Sequence, residues 1–206
     1  MVEAAFDVIG ERYVKETQEL RAQRLAGQWV IDRLPARGAR VLDLGCGTGF
    51  PTAEQFDGAG VEVVGVDESP RMLELAARRV PGARLVRGDM RALDAGLGDF
   101  DAVTAFFSLL MLSRAEVSAV LESVRDRLRG PRLLALAMVQ GDSDAERMSF
   151  LGADLTVTAY SPRALGEVVS GAGFVVEELR EVEVVCESDR PFAVEPQVFV
   201  YARAAG

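Results

Sequence analysis

The sequence predicts an α/β protein built on a mostly parallel sheet with helices on both faces. Three observations carry this. Short apolar runs such as Val41–Leu44, Val61–Val66 and Leu133–Val139 do not alternate with polar residues, so they suit strands buried on both sides. Amphipathic stretches with helix-start signals separate them, which is the α/β pattern. A glycine-rich turn, Gly45-Cys46-Gly47-Thr48-Gly49, follows the first of these runs. With 206 residues, 49% of them hydrophobic, the chain is long enough for one domain with a substantial core.

Residues from about 5 to 34 read as helical, because Ala22, Leu25, Ala26, Trp29 and Val30 share one apolar face. Pro35 and Gly38 end that segment. Val41–Leu44 is the first strand, and a helix after the glycines runs to about Ala59. Val61–Val66 is the second strand. Ser69-Pro70 then supplies an N-cap and a proline at the first helical position. Leu85-Val86 is a short strand before Gly88-Asp89, and Phe100–Phe106 is the next. Ser113 and Glu116 form a capping box. The stripe behind it is Val117, Val120, Leu121, Val124 and Leu128. Leu133–Val139 reads as a central strand. A helix starts at Ser161-Pro162 and stops at Gly171/Gly173. Two β-rich stretches follow, Phe174–Val185 and Val198–Tyr201.

The net charge of −9 disfavours nucleic acid, which needs a basic face. The chain has no histidine, the commonest general base and metal ligand. Cys46 and Cys186 form neither a metal-ligand spacing nor a disulfide framework, so no metal is expected. With no charged-then-apolar leader and no long uncharged apolar run, the expectation is a soluble, cytoplasmic protein without a membrane partner.

Gly45, Gly47 and Gly49 permit positive φ and let a ligand approach the backbone. The dinucleotide spacing G-x-G-x-x-G fails, because Phe50 stands where its third glycine belongs. Asp67 ends the second strand, 22 residues after Gly45, where an acid accepts hydrogen bonds from ribose hydroxyls. Asp89 follows the third strand, placed to accept from an adenine amino group, with Met90 beside it to pack on a base. Each acid alone also reads as a cap or a solvated loop residue.

Taken together, VLDLGCGTG, VVGVDESPRML, LVRGDMRAL and FDAVTAFFSLLMLSR resemble successive motifs of class I S-adenosylmethionine-dependent methyltransferases. The resemblance covers residues 40 to 140 strongly and leans toward small bacterial enzymes of natural-product type. It implies a Rossmann-like, seven-stranded, mostly parallel sheet. One domain would span 1–206, with a helical N-terminal lid over 1–37 and an α/β core over 38–206. It also implies S-adenosylmethionine as cofactor and S-adenosylhomocysteine as product. Asp43 then orients the methionine end, and Gly45, Cys46 and Gly47 line the cofactor. Asp67, with Glu68 beside it, takes the ribose, and Asp89 and Met90 take the adenine. Phe106 lies by the sulfonium, where an aromatic face favours the cation by about 0.5–2 kcal/mol. Tyr13 closes over the methionine end, or else packs within its helix.

The sequence departs from the family where Met111 replaces a frequent histidine and where Gly130-Pro131-Arg132 replaces a Pro-Gly-Gly turn. No catalytic base is assigned. The implied reaction is methylation of a small-molecule acceptor, with oxygen favoured over nitrogen or carbon. The alternatives are a non-methylating reaction such as cyclisation on the same fold, or a non-enzymatic binding module. The acceptor pocket is expected between the N-terminal helices, the SLLML segment and residues 141–160. Phe107, Met111, Arg147 and Tyr160 are its candidate substrate-facing residues. Phe107, Leu110, Met111, Phe150 and Leu151 make a hydrophobic or aromatic acceptor the expectation. The acids of GDSDAER, namely Asp142, Asp144 and Glu146, are candidate polar groups or simply a solvated helix start. A monomer or homodimer is expected.

Overall fold

The computed structural model describes residues 20–150, 153–185 and 194–206. Tyr13, Leu151, Cys186 and most of the expected lid lie outside the described residues. The elements are α1 (Arg21–Ile31), β1 (Arg40–Leu44), α2 (Thr52–Gly58), β2 (Glu62–Asp67), α3 (Pro70–Arg79), β3 (Arg84–Arg87) and β4 (Phe100–Phe106). They continue with α4 (Arg114–Arg125), β5 (Leu128–Val139), β6 (Ser143–Phe150), β7 (Ala153–Ala159), α5 (Pro162–Gly171), β8 (Phe174–Val185) and β9 (Val194–Ala204). Seven strands form one sheet in the order β3-β2-β1-β4-β5-β9-β8, and only β9 runs against its neighbours. This is the mostly parallel, Rossmann-like sheet.

Both faces of the sheet are covered, which is why its strands do not alternate. Leu42, Leu44, Val64, Val103 and Leu134 pack with Val117, Leu121 and Leu165 from α4 and α5. Val41, Val63, Ala102 and Ala135 pack on the other face with Ala26, Val30, Ala53 and Phe56 from α1 and α2. The strand order reverses between β1 and β4, and a ligand crevice opens at the carboxyl ends of strands at such a point.

The local signals act as their chemistry dictates. Ser69 Oγ accepts from Met72 N–H at 3.0 Å, and the capping box of Ser113 and Glu116 closes in both directions. Three expectations need correction. Leu128 does not continue the helical stripe but opens β5, since α4 stops at Arg125 and Leu128 pairs with Phe100. β5 and β9 are longer than expected: β5 begins early where Leu128 pairs in parallel with Phe100 of β4, and β9 runs antiparallel to β8 from Val194 to Ala204. Of the expected helical stretch 5–34, α1 accounts for Arg21–Ile31, and residues 5–19 lie outside the described residues. GDSDAER starts no helix: it enters β6, which forms a two-stranded hairpin with β7. Ser143 Oγ fixes this by donating to the Val157 carbonyl at 3.0 Å and accepting from Ala159 N–H at 3.1 Å.

Candidate functional site

A cleft lies at the switch point. Its wall includes Asp43, the loop from Gly45 to Thr48, Asp67, Met90 and Phe106. The three glycines of the loop face different surroundings. A Cβ on Gly45 would lie 2.3 Å from the Cβ of Ser108, so the bare α-carbon makes room for a neighbouring side chain. A Cβ on Gly49 would press on Val80 and Ala76 at 3.2 and 3.5 Å, so this glycine lets α3 pack close. Gly47 has nothing within 4 Å of that position, and it is the glycine that leaves its backbone open. All three hold positive φ. Arg79 clamps the loop from below, donating to the carbonyl and hydroxyl of Thr48 at 3.3 and 3.0 Å.

The acids are held by the backbone. Asp67 accepts from Gly47 N–H at 2.8 Å and from Ser69 N–H at 2.9 Å, which locks its carboxylate between the glycine loop and the start of α3. Asp43 is only 3% exposed and accepts from the Thr104 hydroxyl at 2.7 Å. Burial raises its pKa to about 7, against the lowering effect of the Thr104 bond, and the charge on Asp67 adds to the rise. Cys46 packs on Gly65 of β2, and burial, then the charges of Asp43 and Asp67, push its thiol well above the ordinary range. It is a packing residue rather than a nucleophile at neutral pH.

Glu68, Met90, Phe106, Phe107 and Met111 also line the cleft. Burial raises the pKa of Glu68, with Asp89 adding to it. Phe106 and Phe107 lean on Phe199, with ring centroids 6.2 and 5.8 Å apart respectively. Asp89 is not among the lining residues. Arg91 Nε bonds both of its oxygens at 2.9 Å, and this bond holds Asp89 below the usual carboxylate range. Arg147 sits exposed on β6, paired across the hairpin with Thr156. Tyr160 is 1% exposed, in the core, with the Arg114 guanidinium 4.9 Å from its ring centre. Asp142 and Asp144 are likewise tied to Arg114, through its guanidinium and its N–H. Neither Arg147 nor Tyr160 belongs to the cleft wall.

Sequence reasoning missed several wall residues. Leu20 and Gln23 come from the start of α1, and Gln23 donates to Thr52 Oγ1 at 2.8 Å, docking that helix beside the glycine loop. Phe50, which breaks the dinucleotide spacing, has the guanidiniums of Arg24 and Arg79 at 5.0 and 5.1 Å from its ring centre. Ser108 and Arg91 also face the cleft. No spacing rule flags them, because their placement depends on which loops meet at the switch point. Among the described residues, no group of three or more Cys, Asp or Glu is arranged to hold a metal ion. No helix among them is long and apolar enough to cross a membrane.

This geometry can be set beside known proteins. An uncharacterized methyltransferase of Synechocystis is 32% identical over 145 residues, which is 68% of this chain and 68% of that protein. The chain belongs to the class I S-adenosylmethionine-dependent methyltransferases. The family model described as a methyltransferase domain matches residues 41–130, which hold β1 to β4 and the cleft loops. A demethylmenaquinone methyltransferase of Beutenbergia cavernae is 39% identical over 136 residues, 65% of this chain and 56% of that protein. The chain spans 56 to 59% of the length of the first curated relatives it matches. Among solved structures, the CcbJ methyltransferase from Streptomyces caelestis superposes with a TM-score of 0.76 over 99% of both chains at 20% identity, a likeness of fold.

The cleft of this methyltransferase suits the cofactor of its family. Gly47 leaves an open approach to the backbone. A locked carboxylate stands beside it at Asp67. Apolar Met72, Met90 and Phe106 provide flat or adaptable surface for a base and a thioether. The Ser108 hydroxyl is buried against the cleft without a hydrogen-bond partner among the described residues.

Proposed function

We propose that this methyltransferase moves a methyl group from S-adenosylmethionine to an oxygen of a small, apolar or aromatic acceptor, with the whole chain acting as one domain. The observation that carries this reading is the Asp67 carboxylate locked onto the open Gly47 loop at the switch point. When bound, the cofactor supplies a sulfonium-held methyl carbon, and in-line displacement by an acceptor oxygen leaves S-adenosylhomocysteine.

The chain's own residues do the rest by binding and positioning. Asp67 keeps a rigid pair of acceptor oxygens at the ribose position, with Glu68 beside it. Gly45, Cys46 and Gly47 form the backbone wall, and Asp43 faces the methionine end. Met90 packs on the adenine. In this reading Asp89 acts through Arg91, which holds both of its oxygens, rather than by touching the base. Phe106 offers its ring to the sulfonium. Tyr13 closes the methionine end from the N-terminal segment. Phe107, Met111 and Leu112 give the acceptor an apolar wall, and they keep water from the reacting centre. The chain has no histidine to serve as general base, and an acceptor that releases its proton readily, such as a phenol or a carboxylic acid, suits such a site.

The test is a methyl-transfer assay with isotope-labelled cofactor and a panel of phenols, aromatic carboxylic acids, amines and sugars. Product mass should rise by one methyl group for apolar phenols or acids. Turnover confined to sugars or highly polar amines contradicts the acceptor class. A product of unchanged mass contradicts methyl transfer itself.

A further inference from the structure

Ser108 occupies the N-cap position of a 3₁₀ turn, Leu109–Met111, yet its side chain makes no capping hydrogen bond. A serine at such a position normally accepts from a backbone N–H of the turn it precedes. Here the hydroxyl is turned elsewhere. Ser108 is 8% exposed, its Oγ has no hydrogen-bond partner among the described residues, and it lines the cleft. A buried hydroxyl without a partner carries a desolvation cost, so such a group calls for an explanation.

The surroundings show how the chain arranges this. Phe107, just before it, takes a left-handed conformation with φ of 57°, a strained choice for an aromatic residue that redirects the chain after β4. Gly45 lacks the Cβ that would stand 2.3 Å from the Ser108 Cβ and 3.1 Å from its hydroxyl. Met90 Cε lies 3.5 Å from the same point. The Ser108 hydroxyl and Met90 therefore both border Gly45. Ser108 stands between Phe107 of one core cluster and Leu109 of the other, and it shares the border of Gly45 with Met90, which in the proposed reading packs on the adenine. The acid expected to meet the purine, Asp89, is outside the cleft wall with both oxygens on Arg91.

We propose that Ser108 is the residue that hydrogen-bonds the adenine ring, through its hydroxyl. The inference rests on the reading of the cleft as a cofactor site. It assigns to Ser108 the polar recognition of the base, with Met90 supplying the apolar contact.

The test is calorimetric titration of wild type and Ser108→Ala with S-adenosylhomocysteine. It is repeated with four analogues: the 1-deaza, 3-deaza and 7-deaza purines, and the purine lacking its 6-amino group. Thermal melting of both proteins checks that the variant is folded. Ser108→Ala should weaken S-adenosylhomocysteine about tenfold, the scale of one buried hydrogen bond. One of the four analogues should bind both proteins alike, and that analogue identifies the bonded atom. Unchanged affinity in the variant overturns the assignment, as does an equal loss across all five ligands. A wild type that binds none of them instead defeats the cofactor reading itself. If Ser108→Ala does not fold, the analogue series on wild type decides: no single-atom loss of affinity overturns the assignment.

Discussion

Two glycines, Gly45 and Gly47, stand two residues apart and answer to different physics. Gly45 is closed off by Ser108, so Gly45→Ala forces a clash and a left-handed alanine together. It should destabilise the fold by about 2 kcal/mol or more, read as a lower urea midpoint at unchanged slope. Gly47→Ala meets open space, so it should cost only about 1 kcal/mol of backbone strain while weakening cofactor binding more than stability. Equal stability losses in the two variants would contradict this division. Asp43 gives a second prediction. Its carboxyl ionises near pH 4 when unfolded but only near pH 7 in the fold. Between those values the folded chain binds the extra proton, so this contribution to stability is full below pH 4 and is lost as pH rises toward 7. In Asp43→Asn that part of the decline should vanish, which urea titrations at pH 5 and pH 8 would show. The sequence pattern placed both of these residues in a ligand loop. It could not tell which glycine faces a ligand and which faces Ser108, because Ser108 arrives from a strand end 63 positions away.

The strands and helices were legible where one local rule decides. Non-alternating apolar runs became central strands because α1, α2, α4 and α5 cover both faces. Ser69, Ser113 and Ser161 became N-caps because each hydroxyl accepts from a backbone N–H three residues on. The segment GDSDAER was not legible. Its charges suit a solvated helix start, and only the register with β7 and the tie to Arg114 make it a strand. Arg114 opens α4, and it also bonds Asp142 and the Ala159 carbonyl, so it fastens the hairpin to the core. Arg114→Ala should therefore raise hydrogen exchange at amides of 143–159 while the sheet amides stay protected. Uniform exchange in both regions would show that the hairpin is held by other contacts. A milder change, Ser113→Ala, should cost about 1 kcal/mol through the lost cap.

At the scale of the whole molecule, topology turns scattered motifs into one site. The strand order reverses beside β1, and that reversal brings together the ends of β1, β2 and β4 and the turn after β3. The glycine loop, Asp67, Met90 and Phe106 meet there. Their co-location was expected from the chain order of strands. The contributions of α1 through Leu20 and Gln23, and the exclusion of Asp89, Arg147 and Tyr160 from the wall, depend on packing that no spacing reports. Because the site joins elements from all along the chain, a bound cofactor should stabilise the fold as a unit. At a concentration one hundred times Kd the gain is about 2.7 kcal/mol, or about 5–10 °C in Tm for a chain of this size. The role of Asp67 at the switch point is tested by calorimetric titration of S-adenosylhomocysteine into wild type and Asp67→Ala, with NAD as control. Wild type should bind S-adenosylhomocysteine and not NAD, and the variant should lose about 100-fold or more in affinity with its two charge-assisted hydrogen bonds. Equal affinity in the two proteins, or preference for NAD, would contradict this reading.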